Sequence, residues 1–311
     1  MRKIKVAVIG VGHLGSRHLK VYSQLKDKVD LVGICDANAE HGTKLAREYR
    51  THFIPDHATL VGQVDAVNIC TPTTSHFEIG KFFLDNGIHT FIEKPITFDL
   101  AQANELVRIS EERNLKLQVG HIERFNNAFQ AIKDIAKNPL FVECHRLNNF
   151  PNRSLDIGVV MDLMIHDIDI VQGLIETPVK DIQAVGINVL TDKDDIANVR
   201  LTFANDSVCN LTASRISPEV MRKIRIFIKD AYISLDYVKQ EAFIYRKEGT
   251  KITRASLPIE KEEPLKKELE HFIDCVRDDK RPLVSGKEGR DALKTALAIQ
   301  DIIWKKPLIA S

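Results

Sequence analysis

The sequence predicts an α/β protein in which a doubly wound parallel sheet is followed by an α+β domain with a mainly antiparallel sheet. Two patterns support this prediction. Strands and helices alternate up to about residue 120, whereas strands follow one another without helices after about residue 140. The expected domains are therefore residues 1–120 and 121–311.

A glycine-rich turn from Gly10 to Gly15 follows the first apolar strand, residues 4–9, and precedes a helix. Gly10 permits a tight turn, Gly12 lets backbone N–H groups approach a pyrophosphate, and Gly15 allows the helix to pack closely on the strand. The phosphates then lie at the positive end of the helix. This arrangement predicts a Rossmann-type dinucleotide site with these cofactor-binding residues in the turn: Gly10, Gly12, His13, Leu14 and Gly15.

The second apolar strand, residues 29–35, ends at Asp36, where such a site needs an acceptor for the ribose hydroxyls of adenosine. Ala37 and Asn38 follow, and neither is a cation. A 2′-phosphate would be repelled by Asp36 and would find no nearby positive charge. The sequence therefore favours NAD over NADP as the cofactor.

The alternation continues through a helix at 38–48, strands at 66–70, 89–93 and 115–120, and a helix at 100–114. Ser75 or Thr74 is expected to cap a further helix that ends at Asn86-Gly87. Ligands of parallel sheets bind at the carboxyl ends of the strands. The candidate cofactor-binding residues after these strands are Thr71, Pro72, His76, Glu93 and Lys94. His76 equally suits an ordinary residue in the first turn of a helix.

The second domain is predicted from a run of strands without intervening helices. These strands are expected at residues 140–149, 179–189, 196–203, 208–215, 223–229, 231–236 and 242–245. Asn205-Asp206 suits a hairpin turn between two of them. Two helices, 264–277 and 286–303, close the chain.

A helix predicted at 159–174 is apolar at nearly every position except Asp162, His166 and Asp169, which share one face at i, i+4 and i+7. Such a helix is expected to be buried, with its polar line facing a cavity. Asp162 and His166 could satisfy each other in a core, or could hold a metal, although no further ligand cluster is evident. General acid/base chemistry is favoured, because histidine titrates near neutrality and a neighbouring carboxylate tunes it.

Lys94 lies at a strand end between Glu93 and Pro95. A lone lysine is usually a solvated charge, and with an ordinary pKa of about 10.4 it is a poor acid or base at pH 7. Burial beside a cationic nicotinamide ring would make a lysine a useful proton carrier. The strand-end position therefore favours a catalytic lysine.

Composition limits the classes of partner. The chain has 311 residues with 44 basic and 43 acidic side chains, so a net charge of +1 gives no electrostatic case for nucleic acid or an anionic membrane. No apolar run approaches the roughly 20 residues of a membrane span, and a soluble, cytoplasmic protein is expected. Five dispersed cysteines without a C-x-x-C pair predict neither disulfides nor a zinc site, and no metal is expected.

The chain resembles the Gfo/Idh/MocA oxidoreductases over essentially its whole length. Three features carry this resemblance: the glycine turn, the Glu93-Lys94-Pro95 segment, and Asp162 with His166. The resemblance implies an N-terminal Rossmann domain that binds NAD(P), and an open-faced antiparallel sheet that completes the active site and mediates assembly into a homodimer or homotetramer. It also implies that Lys94 and His166 transfer the proton, that Asp162 orients His166 or the substrate, and that the Lys94–Pro95 bond is cis.

Residues 119–126 and 162–169 most resemble the subgroup of UDP-N-acetylglucosamine 3-dehydrogenases of lipid A amino-sugar synthesis. That resemblance implies oxidation of a sugar-ring hydroxyl, the 3-hydroxyl of UDP-N-acetylglucosamine. Other sugar, inositol or biliverdin oxidoreductases share the broad plan and remain alternatives. Three arginines could bind a substrate diphosphate or could be structural: Arg124, Arg146 and Arg153. A non-catalytic NAD-binding sensor is the alternative from a different class, and intact Lys94, Asp162 and His166 argue against it.

Overall fold

The computed structural model describes residues 2–150 and 157–305. These residues form two compact units, one of residues 2–122 with Glu263–Arg290 and the other of Glu123–Glu262 with residues 291–305. No helix in the described ranges combines the length and the apolar character needed to cross a bilayer.

The described part of the first unit contains a parallel sheet with helices between its strands. The strands are β1 (Ile4–Ile9), β2 (Val29–Cys35), β3 (His52–Phe53), β4 (Ala66–Ile69), β5 (His89–Ile92) and β6 (Leu117–Val119). The helices between them are α1 (His13–Gln24), α2 (Ala39–Tyr49), α3 (His76–Asp85) and α4 (Leu100–Glu112). The strand order β3-β2-β1-β4-β5-β6 is that of a Rossmann fold and confirms the predicted doubly wound sheet.

Two local features of this unit differ from the prediction. The short strand β3 was not anticipated, because two residues carry too little pattern to be recognised. The predicted cap of α3 is wrong: the Ser75 hydroxyl lies within hydrogen-bonding distance of the Pro72 carbonyl oxygen (2.9 Å) and of the Thr71 hydroxyl (2.8 Å), and makes no capping bond. A 3₁₀ turn, Thr73–Ser75, precedes the helix and uses that hydroxyl locally.

The segment Glu263–Arg290 belongs to the first unit, although it follows the second along the chain. Its helix α7 (Pro264–Arg277) places Leu265, Leu269 and Phe272 in the same buried cluster as the core of the parallel sheet. The rings of Phe272 and Phe91 of β5 meet edge to face with centroids 5.8 Å apart. The observed division therefore differs from the expected boundary at 120/121, because an apolar helix face returns to cover the sheet.

In the second unit, the described residues form a mixed, mainly antiparallel sheet. Its helices are α5 (Asn127–Lys133) and α6 (Ile165–Ile175), and α8 (Gly286–Lys305) begins in the first unit and ends in the second. The strands are β7 (Phe141–Leu147), β8 (Val179–Ile187), β9 (Ile196–Phe203), β10 (Val208–Ser214), β11 (Met221–Ile228), β12 (Ala231–Asp236), β13 (Glu241–Glu248) and β14 (Lys251–Ser256). Their order is β14-β13-β12-β11-β7-β10-β9-β8, and β7 pairs with β10 in parallel. Strand β14 was not predicted.

One face of this sheet is buried and the other is partly exposed. Along β9, Ala197, Val199 and Leu201 are buried, whereas Asn198 and Arg200 between them are exposed. The buried face packs against α6 and the π-helical turn Val160–Met164 that precedes it. The predicted buried helix is therefore present, but its first turn is π-helical, a feature found frequently at functional sites.

The packing of α7 makes a prediction about stability. Replacing Phe272 by alanine should lower the free energy of unfolding by about 3–5 kcal/mol, because it leaves a cavity beneath the sheet. Lys266→Ala, on the exposed side of the same helix, is the matched control and should change little. Urea unfolding followed by circular dichroism measures both. Equal midpoints for the two variants would show that α7 is not part of this core.

Candidate active site

The glycine turn leaves an open approach to the amino end of α1. Gly10 has a φ of +81°, and a Cβ there would lie 2.9 Å from Thr71. A Cβ on Gly15 would collide with the Gly10 carbonyl oxygen, whereas one on Gly12 would meet nothing within 4 Å. The half-buried Gly10 and the buried Gly15 therefore bring helix and strand together, and the exposed Gly12 leaves room for a pyrophosphate. His13 and Leu14 are exposed in the first turn of α1.

Asp36 connects the end of β2 to this turn. Its carboxylate accepts the Val11 N–H at 2.7 Å through one oxygen and the Asn38 N–H at 2.8 Å through the other. Asp36 is half-buried, and each of its oxygens has a further lone pair. The carboxylate is thus held in place at the strand end and fits the ribose of a dinucleotide. Sequence reasoning did not anticipate that Asp36 also fixes the glycine turn.

His76 connects two loops at the carboxyl ends of β4 and β5. Its Nε2 lies 2.9 Å from the Thr71 carbonyl oxygen and its Nδ1 lies 2.9 Å from that of Pro95. The residue is 1% exposed, and burial lowers the pKa of His76. A neutral ring donates to only one of these carbonyls. The buried His76 side chain therefore links the two loops of the predicted cofactor site. Of the other candidates in these loops, Pro72 is exposed and Thr71 is half-buried.

A buried hydrogen-bonded network in the first unit ends at the backbone N–H of Lys94. Tyr22 donates to Asn68 (2.7 Å), whose amide lies 3.1 Å from His18 Nδ1. His18 Nε2 lies 3.0 Å from Glu93, which also accepts the Lys94 backbone N–H at 3.2 Å. Because the Asn68 amide donates to Nδ1, the ring proton belongs on Nε2 and points to the Glu93 carboxylate.

The Glu93 side chain points into the protein, so its predicted contact with a cofactor is replaced by a contact with His18. Burial alone would raise the pKa of Glu93, but the His18 hydrogen bond and the nearby Lys94 charge lower it below its usual value. A side chain at Gly120 would lie 2.9 Å from the Glu93 carboxylate. The network thus fixes the strand end that carries Lys94, and the Lys94–Pro95 bond is cis, as predicted.

In the second unit, Asp162 and His166 are half-buried in the π turn and at the start of α6. Residues that are distant in sequence form hydrogen bonds with the backbone at the start of this turn. The Asp194 carboxylate accepts the Val160 N–H (3.0 Å), and the buried Arg215 donates to the Ile157 carbonyl (2.8 Å). Burial raises the pKa of Asp194. These contacts were not predicted, because their partners lie more than 30 residues apart in the chain.

Arg124 is part of a buried ion pair and not of an accessible anion site. Its guanidinium donates to both oxygens of Asp169, at 2.7 and 3.0 Å, and its side chain is only 7% exposed. Asp169, the third member of the predicted polar line, is thus separated in role from Asp162 and His166. The prediction that Arg124 contacts a diphosphate is corrected, because releasing its guanidinium would leave Asp169 buried without compensation.

The prediction that Arg146 contacts a diphosphate is corrected for the same reason. It donates to both oxygens of Asp167, at 2.8 and 2.9 Å, and to Glu123 at 3.0 Å, with 3% of its side chain exposed. The sequence contained a signal for the burial of Arg146, but not for its partners: Arg146 alternates with Val142 and Cys144 on the buried face of β7. Arg153, the third predicted arginine, lies outside the described residues.

Within the described ranges, no group of three or more His, Cys, Asp or Glu side chains could hold a metal ion. The cysteines at 35, 70, 144, 209 and 275 are free thiols. The glycine turn and the Asp36 carboxylate fit a dinucleotide, and Lys94 follows β5 at the same, carboxyl edge of the parallel sheet.

Comparisons with known families agree with this geometry. Residues 4–121 match a family profile described as an oxidoreductase family with an NAD-binding Rossmann fold. Residues 132–234 match a profile described as the GFO/IDH/MocA C-terminal domain.

Individual relatives match nearly the full length of the chain. The chain is 37% identical to a UDP-N-acetylglucosamine 3-dehydrogenase of Acidithiobacillus ferrooxidans over 96% of its length and 97% of the relative. A crystal form of that enzyme superposes with a TM-score of 0.93 at 36% identity, covering 97% of this chain and 98% of the other. A myo-inositol 2-dehydrogenase of Thermotoga maritima is 24% identical over 97% of both chains.

The position of Asp36 makes a prediction about cofactor choice. NAD should bind more tightly than NADP, because a 2′-phosphate would meet the Asp36 carboxylate. Replacing Asp36 by alanine and Ala37 by arginine should narrow or invert the preference. Ala37→Arg alone is the matched control: it keeps the contacts of Asp36 with Val11 and Asn38 and should raise NADP affinity only. Calorimetry that finds tighter NADP binding by the unaltered protein would contradict the assignment.

Proposed function

Because this chain belongs to the Gfo/Idh/MocA family of NAD-binding oxidoreductases, we propose that it oxidises the 3-hydroxyl of UDP-N-acetylglucosamine. The main support for this substrate is the 37% identity to a UDP-N-acetylglucosamine 3-dehydrogenase, which extends over nearly the full length of both proteins. The identity to the myo-inositol 2-dehydrogenase is lower, at 24%. A nucleotide sugar is therefore favoured over an inositol.

The chain's own residues must position the sugar and move the hydroxyl proton. When bound, NAD supplies the hydride acceptor. We infer that Lys94 and His166 share the removal of the hydroxyl proton, and that Asp162 orients His166 or the sugar. Support for Lys94 comes from its position after β5, where the His18–Glu93 hydrogen bond fixes the backbone. Support for His166 comes from its half-buried position beside the π turn, whereas the aspartates Asp167 and Asp169 of the same helix are buried in ion pairs.

The cellular setting is part of the same proposal. We propose that the reaction takes place in the cytoplasm and supplies amino-sugar synthesis for lipid A. Support for this setting comes from the resemblance of residues 119–126 and 162–169 to the UDP-N-acetylglucosamine 3-dehydrogenases of lipid A amino-sugar synthesis. The keto product would be consumed by a reaction that installs an amino group at the oxidised carbon.

The proposed mechanism predicts that variants of the proton-transfer residues lose turnover but still bind NAD. Lys94→Met and His166→Ala should keep NAD affinity near normal, because neither residue belongs to the glycine turn. Turnover should fall by roughly 100-fold or more, the usual effect of removing a positioned acid or base. Lys266→Met, which changes an exposed lysine of α7, is the matched control. Calorimetry measures NAD binding, and mass spectrometry detects a product two mass units lighter than UDP-N-acetylglucosamine.

A system that reoxidises NADH is included in the assay in case the equilibrium is unfavourable. Oxidation of a different sugar or of an inositol, without a keto product from UDP-N-acetylglucosamine, would refute the substrate and leave the dehydrogenase assignment intact. Undiminished turnover in both Lys94→Met and His166→Ala would refute the mechanism instead. NADH binding without turnover of any sugar in a broad panel would favour a sensor.

We further propose that the protein forms a homodimer or homotetramer through the partly exposed face of the second unit's sheet. That face carries a row of stacked rings, Phe141, Phe227, Tyr232 and Tyr245, with successive centroids 5.5, 5.3 and 4.3 Å apart. Aromatic side chains are enriched in protein interfaces. Arg254 lies over the neighbouring Phe243 ring, with its guanidinium carbon 3.8 Å from the centroid.

This assembly is tested by light scattering at micromolar concentration, where a dimer or tetramer is expected. Tyr245→Glu should shift the protein towards the monomer, because it places a charge within the row of rings. Lys180→Glu, an exposed change on the edge strand β8, should leave the mass unchanged. A monomeric unaltered protein would refute the proposed assembly.

A further inference from the structure

Arg222 occupies an unusual position in the second unit. It lies on β11 directly opposite Arg146 of β7, and it alternates with Ile224 and Ile226 on the buried face of the sheet. Arg222 is half-buried, so part of its side chain remains accessible. Two arginines therefore lie side by side on the face that packs against the helix carrying His166.

The carboxylates near this pair are already engaged by Arg146. Asp167 accepts two hydrogen bonds from Arg146, and Glu123 accepts a third. Among residues 2–150 and 157–305, no carboxylate forms an ion pair with Arg222, and its buried Nε has no hydrogen-bond acceptor. By contrast, the more exposed Arg225 of the same strand lies 3.4 Å from Glu143.

The environment of Arg222 is unfavourable for an isolated positive charge. Burial lowers the pKa of Arg222, and the adjacent charge of Arg146 lowers it further; the nearby charges of Glu123 and Asp167 offset this only in part. A buried donor without an acceptor costs free energy, and the cost is larger for a charged group. An anionic ligand would supply the acceptor that the described part of the protein does not provide.

A second polar group lies in the same cluster. The Tyr237 hydroxyl is buried and has no hydrogen-bond partner in the described ranges, and the residue is 4% exposed. Its ring lies beside the Arg146 guanidinium, 5.8 Å from centroid to carbon, and its backbone N–H donates to the Arg222 carbonyl at 2.9 Å. Two unsatisfied donors of different residues therefore occur together on this side of the sheet.

We propose that Arg222 is a substrate-binding residue whose guanidinium binds a phosphate of the nucleotide sugar. The inference rests on the proposed function, because that function supplies a diphosphate. The planar guanidinium presents paired donors that match phosphate oxygens. Arg222 thus takes the role that the sequence suggested for Arg124 and Arg146, whose donors are engaged by carboxylates.

The test compares Arg222→Gln with Arg225→Gln, a matched change on the opposite face of the same strand. Binding of UDP, of uridine and of NAD is measured by calorimetry. Arg222→Gln should weaken UDP binding roughly 10- to 100-fold, the effect of losing hydrogen bonds from a charged group. Uridine, which has no phosphate, and NAD should bind both variants as they bind the unaltered protein. UDP binding that is unchanged in Arg222→Gln would overturn the proposal.

A thermal unfolding measurement separates binding from a structural role. Arg222→Gln should keep or raise the unfolding temperature, because it removes a poorly compensated charge beside Arg146. Arg146→Gln should lower that temperature, because it leaves Asp167 and Glu123 buried and unpaired. A lower unfolding temperature in Arg222→Gln, together with equal losses of UDP and uridine binding, would assign Arg222 a structural role and overturn the proposal.

Failure of this inference and failure of the proposed function give different results. If the unaltered protein binds UDP through Arg222 but forms no keto product from UDP-N-acetylglucosamine, the proposed function fails and the phosphate site stands. If the protein oxidises UDP-N-acetylglucosamine and Arg222→Gln binds UDP normally, the function stands and the inference fails. An unaltered protein that does not bind UDP overturns the inference whatever it oxidises.

Discussion

The close approach of the Gly10 carbonyl oxygen to the Cα of Gly15 is the constraint on which the first unit depends. It brings α1 against β1 and leaves the exposed Gly12 at the open amino end of the helix. Asp36 then holds the turn through the Val11 N–H. The residue expected to recognise a ribose therefore also stabilises the loop that fits the pyrophosphate, so changes at Asp36 affect both functions.

Buried charged groups have hydrogen-bonding partners in both units. The Glu93 carboxylate accepts a hydrogen bond from His18, and the Arg146 guanidinium forms ion pairs with two carboxylates, because removing a charge from water is unfavourable unless a partner replaces the solvent. These groups fix backbone segments next to Lys94 and His166. Within the described residues, Arg222 departs from this pattern, and a departure of that kind is expected where a protein binds an external ion.

The sequence by itself determined the features that depend on local spacing. The alternation of strands and helices gave the doubly wound sheet, and the change of pattern after residue 140 gave the antiparallel one. The positions of Gly10, Gly15 and Asp36 could be inferred because a turn, a close contact and a strand end each involve only a few neighbouring residues. The buried helix around Asp162 and His166 was visible for the same reason, since its apolar residues surround a narrow polar line.

Only the tertiary structure decided which distant groups meet. No local pattern indicates that Arg124 pairs with Asp169, that Asp194 holds the start of the π turn, or that Glu263–Arg290 returns to the first unit. An arginine has the same appearance in the sequence whether its donors are filled by a buried carboxylate or remain available to a ligand. That difference depends on the carboxylates that the fold places beside it, so the choice among candidate phosphate-binding arginines required the three-dimensional arrangement.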